Sequence, residues 1–136
     1  GDGAFGIAVT ELTAIGRKEW PAITMVVFRN YKWGAEKRNS TLWYDDNFVG
    51  TELDPEVSYA GIAKACGLQG VVARAMDELR DALAKAIDDQ MRNGKTTLIE
   101  AMINQELGEP FRRDAMKKPV AVAGISADDM ALQEGA

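Results

Sequence analysis

Histidine is absent from these 136 residues, and cysteine occurs once, at Cys66. The chain therefore has no intramolecular disulfide, no His-based catalytic triad and none of the usual zinc sites. A reducing cytoplasm is the expected compartment. Long apolar runs are also missing: "AITMVVF" and "PVAVAGI" fall far short of the roughly 18 residues that a bilayer span needs. No basic segment followed by an apolar stretch opens the chain, so neither a leader peptide nor a membrane partner is expected. An excess of positive charge is lacking too. With Lys and Arg at 16 against Asp and Glu at 21, the net charge is −5, which disfavours nucleic acid as the partner. The cations cluster at Arg29, Lys32, Lys37 and Arg38, and again at Arg112, Arg113, Lys117 and Lys118. A small anion fits such clusters better than a polymer, although a solvated charged surface is the alternative for each residue.

What is present is ordinary globular material, 46% apolar and 27% charged, in the length of one domain. Residues 4–17 place Phe5, Ala8, Val9, Leu12 and Ile15 at helical spacing. Pro21 breaks that pattern, and the apolar run 22–28 reads as a strand covered on both faces. Residues 35–51 are polar and aromatic, and read as a functional loop with a short helix. In 53–67, Asp54 suits an N-cap, Pro55 the first helical position and Gly67 the stop. Strands are expected at 69–75 and 96–103. Between them, Met76, Leu79, Leu83, Ile87 and Met91 form one stripe of a helix ending near Asn93-Gly94. Alternating helices and strands predict an α/β fold, a parallel sheet with helices on both faces. Ligands of such sheets sit at the carboxyl ends of the strands.

Two loops belong at that edge: Gly1-Asp2-Gly3 before the first helix, and "RNYKWG" after the first strand. Asp2 offers a hard carboxylate and Asn30 an amide oxygen, the ligand types that Mg²⁺ or Ca²⁺ prefers. Gly3 permits close backbone approach, and the helix opening at Ala4 presents free N–H groups to a phosphate. Together they describe a metal-bridged diphosphate site.

Gly1-Asp2-Gly3, then 26 residues, then Asn30-Tyr31-Lys32-Trp33-Gly34, resembles the cofactor signature of thiamine-diphosphate enzymes. "ELTAI" at 11–15 resembles the helix that follows it. The resemblance implies thiamine diphosphate and Mg²⁺ as cofactors. It assigns the metal to Asp2, Asn30 and the main chain of Lys32, and cofactor contacts to Gly1, Asp2, Gly3, Ala4, Phe5, Asn30, Trp33 and Gly34. One position departs: Arg29 stands where the signature has a first Asn, a residue that does not bind the metal.

"VVFRNYKWGAEKRN" and "LGEPFRRDAMKKPV" are similar to the sulfoacetaldehyde acetyltransferase branch of that family. This implies conversion of sulfoacetaldehyde and phosphate into acetyl phosphate and sulfite. Lys37, Arg38, Arg112 and Arg113 become candidates for holding the two anions. An acetolactate synthase, a 2-oxoacid decarboxylase, or a non-catalytic binding or assembly module are the alternatives. The resemblance further implies a C-terminal diphosphate-binding domain over 1–120, N-terminally truncated; residues 121–136 share no such resemblance and are expected to form a mobile tail. The resemblance also implies a homo-oligomer whose N-terminal pyrimidine-binding domain supplies the Glu that activates the cofactor. These 136 residues alone are expected to turn over no substrate.

Overall fold

The run Thr97–Met102 is the centre of the molecule. It forms β3, the middle strand of a three-stranded parallel sheet ordered β1-β3-β2, with β1 at Thr24–Arg29 and β2 at Gln69–Ala73. Val26 and Val71 both pair in register with Ile99. The computed structural model describes residues 1–17 and 19–104, apart from the side chains of Leu42 and Trp43. Arg112, Arg113, "LGEPFRRDAMKKPV" and the expected tail at 121–136 lie outside the described residues.

Alternate side chains of the strands feed two apolar layers, as the two-residue repeat of a strand requires. On one side Val27 and Leu98 meet Leu12, Tyr59 and Ala63 from the helices α2 (Leu12–Gly16) and α4 (Tyr59–Ala65). Phe5 of α1 (Asp2–Ile7) packs there as well. On the other side Ala73 and Ile99 meet Ala86, Leu79 and Leu83 of α5 (Met76–Asn93). The expected parallel α/β sheet with helices on both faces is what the chain forms. Among the described residues, no helix is long and apolar enough to cross a membrane.

Four local expectations need correction. The helix over 4–17 is broken into α1, a 3₁₀ turn at Val9–Glu11 and α2. Glycines at 3 and 6 and β-branched residues at 9, 10 and 13 weaken the helix, and the Thr13 hydroxyl donates to the Thr10 carbonyl at 2.8 Å. Ala8 is exposed, while Phe5, Val9, Leu12 and Ile15 keep their shared face.

Secondly, the segment at 35–51 opens with a full helix, α3 (Gly34–Trp43). Thirdly, α4 starts at Tyr59 with Ser58 as its cap, whose hydroxyl accepts from Gly61 N at 3.1 Å. Asp54 instead closes a turn on Glu56 N at 2.8 Å, and the Pro55 carbonyl is taken by Arg29. The fourth concerns α5. Its packed face is Leu79, Ala82, Leu83 and Ala86, while Met76, Ile87 and Met91 are exposed. From Leu79 on, the four-residue spacing drifts around a helix of 3.6 residues per turn and carries Ile87 and Met91 off the core, while Met76 is exposed as the first residue of the helix.

Close approach of α4 to β2 requires Gly70. A Cβ there would fall on the main-chain carbonyl of Ala60.

Candidate functional site

At the carboxyl end of β1 the chain turns through Asn30 and Tyr31, and Tyr31 takes a left-handed φ of 61°. That turn aims Tyr31 N at Asp2, whose Oδ2 accepts it at 2.8 Å. Asp2 Oδ1 accepts from Gly3 N at 3.2 Å, and the Asp2 carbonyl accepts from the Tyr59 hydroxyl at 3.1 Å. The carboxylate is 1% exposed. Among the described residues, the neutral amides of Gly3 and Tyr31 donate to it. Burial pushes the Tyr59 phenol up, and the neighbouring Asp2 carboxylate adds to the shift.

Asn30 is fixed by its own loop, its Oδ1 accepting from Lys32 N at 3.2 Å. The segment after it is braced by a second stretch: Trp33 N donates to the Thr51 carbonyl and Leu53 N to the Tyr31 carbonyl, each at 2.8 Å. Lys32 and Glu52 form an antiparallel bridge between them.

A cavity of about 330 Å³ opens over these loops. Gly1, Asp2, Gly3, Ala4, Asn30, Lys32, Trp33 and Gly34 line it, with Ala35, Glu36 and Arg38 from the start of α3. The structure thus brings together all but one of the residues expected around a cofactor. The exception is Phe5, whose ring packs edge-on against Tyr59 at 5.3 Å in the core. Glycine at position 3 shapes the wall, since a Cβ there would stand 2.9 Å from the Trp33 indole.

Of the anion candidates among the described residues, Arg38 lines the cavity and Lys37 does not. The Lys37 ammonium forms an ion pair with Glu52 and lies 4.7 Å from the Phe48 ring centre. That pairing holds the Glu52 carboxyl below its ordinary range. Tyr44 is exposed and takes no part in the cavity wall.

The largest surprise is Arg29, read from sequence as part of a basic cluster. It is buried and ion-paired with Glu100 of β3. Both signals stood in the sequence: a lone carboxylate inside the apolar run "TTLIEAMI", and a cation closing "AITMVVF". Charged residues in buried strands rarely stand alone, which makes such a pair worth seeking.

The donors fit a hard divalent cation with a diphosphate. Asp2 gives one carboxylate and Asn30 one amide oxygen, and Lys32 lines the same cavity. No group of three or more Asp, Glu, His or Cys forms a cage among the described residues. Magnesium completes such a sphere with waters and ligand phosphates. The buried Asp2 carboxylate, which accepts from the neutral amides of Gly3 and Tyr31, favours a cation beside it.

Comparison with known proteins agrees with this geometry. The chain is 82% identical over 134 residues to a sulfoacetaldehyde acetyltransferase of Roseovarius nubinhibens, covering 98% of this chain and 22% of that protein. It is 81% identical over 133 residues to the sulfoacetaldehyde acetyltransferase of Rhodobacter capsulatus, with the same coverage. An acetolactate synthase large subunit of Mycobacterium tuberculosis is only 30% identical over 112 residues, 82% of this chain and 19% of that protein. The chain thus spans about a fifth of the length of these relatives. Residues 1–101 match the family described as thiamine pyrophosphate enzyme, C-terminal TPP binding domain. The chain belongs to the thiamine pyrophosphate enzymes, whose cofactor is thiamine diphosphate, and corresponds to their C-terminal cofactor-binding domain.

Proposed function

We propose that this chain is the diphosphate-binding part of a sulfoacetaldehyde acetyltransferase, which converts sulfoacetaldehyde and phosphate into acetyl phosphate and sulfite. One observation carries the reading: Asp2 and Asn30, far apart in sequence, line one cavity with Lys32 at the carboxyl end of β1. The names of the two most similar relatives quoted above support the substrate class.

Asp2, the Asn30 side chain and the Lys32 carbonyl would hold Mg²⁺. Gly1, Gly3, Ala4 and the Phe5 backbone would flank the diphosphate on one side, with Trp33 and Gly34 on the other. Bound thiamine diphosphate supplies the carbanion chemistry. The chain's own residues bind and orient. The buried Asp2 carboxylate fixes a cation, and the Trp33 indole walls off water on the side of Gly3. Arg38, with Arg112 and Arg113, would pair with sulfonate or phosphate. Glu36, on the same wall, is placed to accept or release a proton. A homo-oligomer, in which a pyrimidine-binding domain completes the site, and a cytoplasmic location belong to the same reading.

Phosphate-dependent sulfite release by the native gene product tests it. Sulfite formed only with phosphate, thiamine diphosphate and Mg²⁺ supports the assignment. Acetolactate from pyruvate without sulfite from sulfoacetaldehyde would transfer it to the acetolactate synthases.

A further inference from the structure

Arg29 and Glu100 meet just beneath the turn that carries Asn30. Both are buried, at 4% and 0% exposure. The guanidinium does more than neutralise the carboxylate. Its second terminal nitrogen donates to the carbonyls of Asp54 at 3.3 Å and Pro55 at 3.0 Å, and its plane lies 4.3 Å from the Tyr31 ring centre. Glu100 in turn accepts from Ser58 Oγ at 3.1 Å and Ala60 N at 3.0 Å, tying down the start of α4. Asp54 and Pro55 continue directly from Thr51–Leu53, the stretch that braces Tyr31–Trp33. One side chain therefore grips both stretches of the small frame that carries Asn30 and Lys32.

We propose that Arg29, fixed by Glu100, is a positioning residue for the cation and diphosphate site. Arginine suits the place because its planar fork reaches a carboxylate and two carbonyls at once, and lysine has no such fork. The proposal rests on the reading of the cavity as a magnesium diphosphate site. Arg29 is not among the residues that line the cavity. It holds the frame whose displacement by about 1 Å would cost on the order of a hundredfold in a positioned reaction.

The test uses the native gene product, with Mg²⁺ titrated at fixed thiamine diphosphate and followed by tryptophan fluorescence, since Trp33 lines the cavity. Two variants separate positioning from folding. Arg29→Lys keeps the charge opposite Glu100 but loses the fork. The double variant Arg29→Met with Glu100→Leu removes both charges, a change that buried pairs often tolerate. Arg29→Lys should melt near the wild-type temperature, and the double variant should stay folded but melt lower, since Ser58 Oγ and the buried Ala60 N lose Glu100 as acceptor. Each should bind Mg²⁺ at least tenfold more weakly, in the range of about 10–100-fold seen when the supports of a metal site are lost. In sulfite release kcat should fall, while the KM for sulfoacetaldehyde changes little. Folded variants with wild-type Mg²⁺ affinity would overturn the proposal, and so would loss of the fold in both, because the pair would then serve folding alone. A wild-type protein that binds no Mg²⁺ with thiamine diphosphate would instead remove the reading of the cavity itself, and this proposal with it.

Discussion

The Tyr31 amide donates to the Asp2 carboxylate at 2.8 Å, joining the turn after β1 to the first residue of α1. This bond makes two distant loops one site, and it holds Asp2 with a neutral donor. Position and charge can therefore be separated. Asp2→Asn keeps an oxygen for Tyr31 N and loses the charge. The variant should melt near the wild-type temperature. Its Mg²⁺ affinity should fall by at least the roughly 10–100-fold that follows loss of a group orienting a metal site. Fluorescence titration reads this directly, and unchanged affinity would contradict it.

The cavity divides the two neighbouring cations Lys37 and Arg38. Lys37 is held by Glu52 outside the cavity wall. Lys37→Met should therefore change the KM for either anion by less than about fivefold, since its ammonium is committed to a partly exposed pair with Glu52 outside the cavity wall. Arg38→Met should raise one of the two KM values by roughly tenfold or more, as loss of a charge-assisted hydrogen bond costs about 1.5–3 kcal/mol. Steady-state kinetics with each substrate varied in turn would check the pair. The reverse order would place the anion on the far side of α3.

Gly70 links the fold to the site. A Cβ there would meet the Ala60 carbonyl, so Gly70→Ala must push α4 away from β2. A loss of about 1–3 kcal/mol is expected from such overpacking, visible as a lower urea midpoint. Since α4 carries the Tyr59 hydroxyl that donates to the Asp2 carbonyl, cofactor affinity should fall with it. A variant with wild-type midpoint and affinity would contradict the packing described for α4.

Much of this was legible from residue type and spacing. The runs 22–28 and 96–103 are apolar on both faces, and they became strands covered by helices on both sides. Asp2 and Asn30 came together because both flank β1 at one end. The misplaced start of α4 has a long-range cause. Asp54, Pro55 and Ser58 are all acceptable near a helix start, and the choice among them was made by Arg29 and Glu100 from other strands. Local propensity carries no such information. The drift of the α5 stripe is a matter of helix geometry, and its exposed Met76, Ile87 and Met91 could not be told from core residues by type.

Acid should act through Asp89 of α5. Lys85 Nζ and Asn93 Nδ2 each donate to it at 2.8 Å, and these bonds, that from Lys85 foremost, lower its pKa from 3.8 to about 2. The folded carboxyl gives up its charge less readily than the unfolded one, so the unfolded chain takes the proton first as pH falls. The stabilisation is complete above about pH 4 and is lost as pH falls towards 2. Urea midpoints across that window should fall more steeply for the wild type than for Asp89→Asn. Parallel slopes would show that the carboxylate contributes nothing there.

The central claim is that Asp2 and Asn30 hold one divalent cation together. Crystals of the native gene product grown with thiamine diphosphate and Mn²⁺ would test it by anomalous diffraction, which locates the metal independently of the surrounding density. The account predicts a single peak within bonding distance of an Asp2 carboxylate oxygen, Asn30 Oδ1 and the Lys32 carbonyl, with diphosphate oxygens completing the sphere. A cofactor bound with its metal away from either side chain would contradict it.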